Sequence, residues 1–138
     1  MGYNLRIGEA VVNSNLEDRY AIVEVAFMNG KDLGAPLDPQ GFAEHSNENS
    51  PSYIEWSEFA QTVGLYPTFF GQKTGLIRNH PGCEPLSEQI YDQFKKAQET
   101  YKKRSEDDWN VVRLNWLVWW TRWALDNCKY PSFLIHEL

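Results

Sequence analysis

An arginine lies among tryptophans in a C-terminal segment whose pattern predicts a helix. At about 100° per residue, Arg113 falls on the same helical side as Trp116 and Trp120, and Asn127 falls on that side one turn beyond Trp123. A guanidinium among indole rings can stack on them and still donate hydrogen bonds to a phosphate or carboxylate. We therefore predict that Arg113, Trp120 and Asn127 bind a ligand. The alternative is that Arg113 packs over the tryptophans and pairs with a carboxylate of another element.

A second candidate anion site lies where the polar segment 45–53 leads into a predicted helix. The first backbone N–H groups of a helix have no partner within the helix and can bind an anion. Ser50, Ser52 and Tyr53 place hydroxyl groups beside them, so we include these three residues in the predicted ligand-binding set. The alternative is helix capping and turn formation without a ligand.

A predicted loop further along the chain contains Arg78, His80 and Cys83. We add Arg78 and His80 to the predicted ligand-binding residues. A metal site would need His45 or His136 as well, because no second Cys or His pair has metal-ligand spacing, and we predict neither a metal nor a cofactor. A Cys–His nucleophilic pair is disfavoured by its spacing across a Pro-Gly turn, and a rigid turn is the favoured interpretation.

The motifs of common enzyme classes are missing from the sequence. It contains no Gly-rich phosphate loop, no G-x-S-x-G motif and no H-E-x-x-H motif. We therefore favour a binding protein over an enzyme.

Charge is unevenly distributed along the 138 residues, whose formal net charge is −6. Residues 1–60 carry ten acidic and three basic side chains, a net of −7, and residues 61–138 carry nine acidic and ten basic side chains, a net of +1. The acidic balance argues against general nucleic-acid binding, which depends on clustered basic residues. The acidic first half is either a solvated face or a surface that docks a basic partner.

Length and composition indicate one domain. The chain has 42% hydrophobic and 23% charged residues, which is typical of a globular protein. Its N-terminal residues lack the apolar core of a secretory signal, and its Trp-rich segment is interrupted by charges too often to span a membrane. Two distant cysteines do not indicate a disulfide framework. We expect a cytoplasmic protein with no membrane partner.

The N-terminal part of the chain predicts strands. Apolar and polar residues alternate over 3–9 and over 20–28, with turn residues between the two segments. This pattern is typical of a β-hairpin, which we place within residues 1–30. Residues 31–51 are rich in glycine, proline and asparagine and predict a long loop.

The remaining residues, 52–138, predict a helical part. Ser52 opens a capping-box pattern that begins a helix, and Gly64 ends it. Longer helices are predicted over 87–104, with apolar residues on one face and lysines on the other, and over about 108–129.

Three connecting segments complete the prediction. Residues 65–70 are predicted to be irregular or a short helix, residues 71–85 a loop, and residues 130–138 an extended tail. The predicted fold is therefore α+β, with an N-terminal β-hairpin packed on a three-helix, Trp-rich core.

Four motifs of the chain form a combined pattern. They are S-P-S-Y at 50–53, G-L-Y at 64–66, H-P-G-C at 80–83, and R-L-x-W-L-x-x-W-x-R-W-A-L-x-N-C at 113–128. This combination, which covers most of residues 45–131, resembles a group of small accessory proteins of tailed phages. The resemblance implies an accessory role in the cytoplasm of the host, and it carries no catalytic residues to transfer.

These observations lead to three hypotheses about function. The first is a non-enzymatic protein that sequesters a small, anionic, nucleotide-like ligand of host immunity, since aromatic and arginine side chains suit a base and a charge. The second is an acidic inhibitor of a host protein or a virion accessory protein. The third is a hydrolase that uses His80 and Cys83. We also expect a homo-oligomer, because a partly covered Trp face would be buried between copies.

Overall fold

The computed structural model describes residues 3–11, 26–28, 56–71, 75–77, 82–106 and 108–137. These ranges contain an α+β fold, as predicted, with four strands and four helices. The strands are β1 (Tyr3–Val11), β2 (Ala26–Met28), β3 (Gly82–Pro85) and β4 (Pro131–Glu137). The helices are α1 (Trp56–Val63), α2 (Tyr66–Phe70), α3 (Glu88–Thr100) and α4 (Trp109–Asn127).

The strands form one antiparallel sheet in the order β2-β1-β4-β3. Pairing of β1 with β2 confirms the predicted hairpin, and Glu9 lies opposite Met28 in that pair. Leu5 and Ile7, two residues apart in β1, are both fully buried, as the alternating pattern predicts. Residues 20–25 of the predicted second strand lie outside the described residues.

Two segments that were predicted to be an extended tail and part of a loop are strands of the sheet. The C-terminal tail is β4, which pairs along its length with β1, so that Phe133 lies opposite Ile7. The end of the predicted loop 71–85 is β3, which pairs with β4. Gly82 and Pro85 are typical of turns, and Pro is tolerated in β3 because this strand lies at the edge of the sheet.

Gly64 ends α1, as predicted. Its φ of +80° is a left-handed conformation that favours glycine, and the Leu65 N–H donates to the Ala60 carbonyl at 2.8 Å, as in a Schellman motif. The predicted start at Ser52 lies outside the described residues, and the described part of α1 begins at Trp56.

The short helix α2 is held in place by one aromatic side chain. Five residues make too few helical hydrogen bonds to be stable alone. Phe69 is fully buried, and its ring centroid lies 5.5 Å from that of Trp56, 5.7 Å from that of Phe94 and 6.0 Å from that of Phe133. Phe69 therefore joins α2 to α1, α3 and β4 at the centre of the core.

The α3 helix begins where the sequence predicts and ends earlier. The Ser87 hydroxyl accepts a hydrogen bond from the Ile90 N–H at 3.2 Å and caps the helix. The prediction continued the helix to Arg104, but Tyr101 is extended, with ψ of 128°, and α3 ends at Thr100. Hydrogen bonds from the turn after α3 to Asp108 compete with further helical turns.

The α4 helix agrees closely with its prediction. Asp108 is its N-cap and accepts a hydrogen bond from the Asn110 N–H at 3.0 Å. The buried side of α4 is wide, because Leu114, Leu117 and Trp120 point away from solvent in different directions. No helix in the described ranges is long and apolar enough to cross a membrane.

Candidate functional site

The tryptophan predicted to bind a ligand lies in the core. Trp120 is 1% exposed, and its ring centroid lies 4.9 Å from that of Trp119 and 5.4 Å from that of Trp123, both in edge-to-face geometry. It therefore has no exposed surface on which a base could stack. Its role in this structure is packing between α4 and the rest of the core.

Arg113 belongs to a polar chain at the start of α4. Its Nη1 donates to Asn110 Oδ1 at 3.0 Å, and its guanidinium carbon lies 6.0 Å from the centre of the Phe59 ring. Asn110 Nδ2 donates to the Tyr101 hydroxyl at 3.2 Å, and that hydroxyl donates to Asp108 at 2.6 Å. Burial lowers the pKa of Arg113, while the charge of Asp108 acts in the opposite direction. These contacts fasten the connection between α3 and α4.

Asn127 is distant from Arg113. It is exposed in the last turn of α4, and its Nδ2 donates to the Trp123 carbonyl at 2.8 Å. A rise of about 1.5 Å per residue separates Asn127 from Arg113 by about 21 Å along the helix. The three predicted residues of α4 therefore do not form one site.

The other predicted ligand-binding residues lie outside the described ranges. They are Ser50, Ser52, Tyr53, Arg78 and His80. The backbone of Cys83 is part of β3, but its side chain is outside the described part of the structure. Within the described part, no group of three or more His, Cys, Asp or Glu residues could hold a metal ion.

The described cysteine thiol does not resemble a nucleophile. Cys128 follows the last turn of α4 and is half-buried. Burial raises its pKa to about 11, and the negative charge of Glu9 acts in the same direction. The thiol is therefore protonated near neutral pH, where a nucleophilic cysteine needs a thiolate.

A cluster around Arg122 is already saturated. Its guanidinium donates two hydrogen bonds to Glu88, at 2.8 and 2.7 Å, and two to Asp126, at 3.2 and 2.8 Å. It also lies 4.8 Å from the centre of the Tyr91 ring. This cluster ties the start of α3 to α4, and its hydrogen bonds are taken up within the protein.

A groove of about 780 Å³ lies on the opposite side of α3, facing α2. We call it the α2–α3 groove. Val63, Leu65 and Pro67 form an apolar wall at the corner between α1 and α2, in which Val63 and Leu65 are buried, and Leu86 and Ile90 are among the other apolar residues of the lining. This volume is within the range of about 300–1,000 Å³ typical of small-molecule sites.

The second wall of the groove is a polar stripe on α3. It consists of Gln89, Gln93, Lys96 and Thr100. Their spacing of four, three and four residues places them within about 60° of one another on the helix. They therefore present two amides, an ammonium group and a hydroxyl in order along one wall.

Two features give the groove its electrostatic character. The Thr68 hydroxyl donates to Gln93 Oε1 at 2.5 Å and connects the two walls. Lys96 is exposed and is the only charged side chain among the described residues that line the groove. It makes no salt bridge within the described ranges. The groove thus combines a cation that makes no salt bridge to any described residue with neutral hydrogen-bonding groups.

Sequence reasoning missed the polar stripe of α3. The signal that could have revealed it is the set of polar residues beside the apolar face of the helix, at positions 89, 93, 96 and 100. The same spacing also occurs on a solvated helix face, and only the position of α2 distinguishes the two cases.

The chain matches no protein-family model, no curated protein and no solved structure.

Proposed function

We propose that this protein is a non-enzymatic binding protein that sequesters a small, anionic, nucleotide-like ligand in the α2–α3 groove. The observation that carries the proposal is the lining of the groove, in which Lys96 is the only charged residue among those described. The chain as a whole has a net charge of −6. Because the excess negative charge lies in residues 1–60, an anion in this groove would meet a single lining charge, the positive charge of Lys96.

The two walls of the groove suit the two parts of a nucleotide. Pro67, the exposed member of the apolar wall, offers a surface against which part of a ring can be buried, whereas Val63 and Leu65 are 6% and 2% exposed. The polar stripe offers amide groups for the ring edge and an ammonium group for the phosphate, and a charge-assisted hydrogen bond is stronger than a neutral one. The proposed site therefore lies on α3 and α2, and none of the eight residues predicted from the sequence is among its described lining residues.

Sequestration sets a quantitative requirement. A protein that binds without turnover removes at most one ligand per site, so it must bind tightly and be abundant relative to the ligand. In the phage accessory role that the sequence resemblance implies, the ligand is a nucleotide signal of host immunity, and binding lowers its free concentration in the host cytoplasm.

Thermal-shift measurements with mononucleotides, cyclic mononucleotides and cyclic dinucleotides test the proposal. A ligand that binds only the folded state stabilises it by RT ln(1 + [L]/Kd) and so raises the melting temperature as the ligand concentration increases. We expect a rise for wild type that Lys96→Glu abolishes. Lys102→Glu is the matched control, because Lys102 is exposed, does not line the groove and undergoes the same charge change. No rise with any of these ligands well above micromolar concentration, or an equal rise in Lys96→Glu, contradicts the proposal.

A second candidate function rests on the acidic first half of the chain. Residues 1–60 have a net charge of −7, which suits an inhibitor or virion accessory protein that docks a basic partner. Such binding would weaken steeply with salt and would be unaffected by Lys96→Glu.

Sedimentation of the purified protein measures the proposed homo-oligomer, in which contact between copies would cover Trp109, 45% exposed in one chain.

A further inference from the structure

A hydrogen bond between side chains crosses the α2–α3 groove near its middle. The Thr68 hydroxyl of α2 donates to Gln93 Oε1 of α3 at 2.5 Å, and both residues line the groove. Gln93 is exposed and Thr68 is half-buried, whereas Leu65 and Leu86 of the same lining are 2% and 6% exposed. The bond therefore lies nearer to solvent than the buried part of the lining. We call it the Thr68–Gln93 strap.

The strap separates the two ends of the groove. Lys96, the only charged side chain among the described lining residues, lies three residues beyond Gln93, which is about 4.5 Å along the axis of α3. Ile90, which is half-buried, and Pro85, which is exposed, lie on the other side of Gln93, toward the start of the helix. A ligand that places an anionic group at Lys96 and an apolar group on Ile90 or Pro85 therefore has to pass the strap.

Gln93 is the half of the strap that moves. The backbone of Thr68 is fixed, because its carbonyl accepts a hydrogen bond from the Leu76 N–H at 3.0 Å and the next residue, Phe69, is fully buried. The Gln93 side chain is exposed and rotates about several bonds. Exposed side chains change rotamer within picoseconds to nanoseconds. Rotation of this one side chain thus opens the strap without a change in the backbone.

The strength of the strap suits a contact that is closed at rest and opens on binding. A hydrogen bond between neutral groups shifts an equilibrium by only about two- to tenfold, because water replaces the lost partner. A ligand that binds only the open form therefore binds more weakly, by the same factor, than it would bind a groove that is always open. The strap exists in either orientation of the Gln93 amide, because the Thr68 hydroxyl both donates and accepts.

We propose that the Thr68–Gln93 strap closes the groove in the unliganded protein and that the ligand opens it by displacing Gln93 from Thr68. This inference rests on the proposed function and adds a conformational step to it. The released Gln93 amide then bonds to a polar group of the ligand or to water. Thr68 accordingly lowers the affinity of the groove.

Calorimetric titration of Thr68→Val with mononucleotides, cyclic mononucleotides and cyclic dinucleotides tests the inference. Valine keeps the branched shape of threonine and removes the hydroxyl, so the strap cannot form. We expect Thr68→Val to bind about two- to tenfold more tightly than wild type, and Thr68→Ser, which keeps the hydroxyl, to bind as wild type does. Thr62→Val is the matched control and should also bind as wild type does. Thr62 is half-buried, its hydroxyl donates to the Glu58 carbonyl within α1, and it does not line the groove.

The outcomes separate the strap from the function on which it rests. If nucleotides bind wild type in a Lys96-dependent way and Thr68→Val binds them equally or more weakly, the proposed function stands and the strap inference is wrong. An equal gain of affinity in Thr68→Ser or Thr62→Val also overturns the inference, because the effect would not come from the lost hydrogen bond. If only Thr68→Val binds nucleotides, the strap is supported and the proposed function of wild type is wrong. If neither wild type nor Thr68→Val binds any of these ligands, both proposals fail.

Discussion

The neighbouring helices α3 and α4 each carry a cationic side chain beside apolar residues, and the two cations serve different purposes. Arg113 of α4 is half-buried, lies over the Phe59 ring and donates to Asn110. Lys96 of α3 is exposed in a groove and makes no salt bridge within the described ranges. Arg113, which lies over an aromatic ring, is thus part of the framework, whereas Lys96, the cation of the proposed site, lies on the polar stripe of α3.

The same difference extends to the other polar groups of the two regions. Around α4, Asp108 accepts hydrogen bonds from Tyr101, Arg104 and Asn110, and Arg122 is bound by two carboxylates. Along the groove, the hydroxyls of Ser87 and Thr100 bond to the backbone of α3 and Thr68 bonds to Gln93, while Gln89 and Lys96 are exposed. The α4 region should therefore determine stability, and the groove should determine binding.

The largest expected effect is a loss of stability when Trp120, a buried tryptophan of α4, is truncated. Trp120→Ala should lower the free energy of unfolding by about 3–5 kcal/mol, because it removes an indole that is 1% exposed and leaves a cavity. Trp109→Ala, at a position 45% exposed, is the matched control and should cost less than about 1 kcal/mol. Urea denaturation measures both. A stable Trp120→Ala variant that loses nucleotide binding would instead make Trp120 a ligand residue.

An intermediate effect is expected at the junction of α3 and α4. Asp108→Ala should cost about 1–2 kcal/mol, because it removes the N-cap of α4 and the acceptor of the Tyr101 hydroxyl. Denaturation monitored by circular dichroism measures this loss. Lys102→Ala, in the exposed segment between the helices, is a suitable control and should leave stability nearly unchanged.

The contribution of Asp108 to the free energy of unfolding should also depend on pH. Burial raises the pKa of this carboxyl group, but hydrogen bonds from Tyr101 and from the N–H groups of Arg104 and Asn110 outweigh burial, and the net pKa is lowered. A carboxyl group whose pKa is lower in the folded state stabilises that state at pH values above its unfolded-state pKa. This stabilisation is lost as the pH falls through the folded-state pKa. The difference in free energy of unfolding between wild type and Asp108→Asn should therefore be constant near neutral pH and shrink below about pH 3.9. An advantage that grows with acidity would contradict this assignment.

The smallest expected effect is on stability, from substitutions in the groove. Gln89→Ala and Lys96→Ala should each change the free energy of unfolding by less than about 0.5 kcal/mol, since both side chains are exposed and no hydrogen bond of either is part of the framework described above. Chemical denaturation beside the binding measurements provides the comparison. A large loss of stability in Lys96→Ala would show that the groove belongs to the framework in the same way as α4.

Local patterns predicted the helix ends that a capping hydroxyl or a glycine marks, and they predicted the tertiary partners of residues poorly. Gly64 and Ser87 were identifiable because a left-handed glycine and a capping hydroxyl act within a few residues along the chain. The strand β3 was not, because Gly82 and Pro85 resemble turn residues until β4 lies beside them. Arg113 and Trp120 were assigned to the correct helix, but an aromatic helix side has the same pattern whether it forms a pocket wall or a core.

The sequence by itself determined the α+β class, the hairpin, the positions of the long helices and the concentration of acidic residues in the first half. These properties follow from composition, periodicity and contacts between near neighbours in the chain. Only the tertiary structure decided that the C-terminal tail is a central strand, that Trp120 is buried, and that α2 faces the polar stripe of α3. Each of these depends on segments far apart in sequence being packed together, here around Phe69, and no local pattern encodes that arrangement.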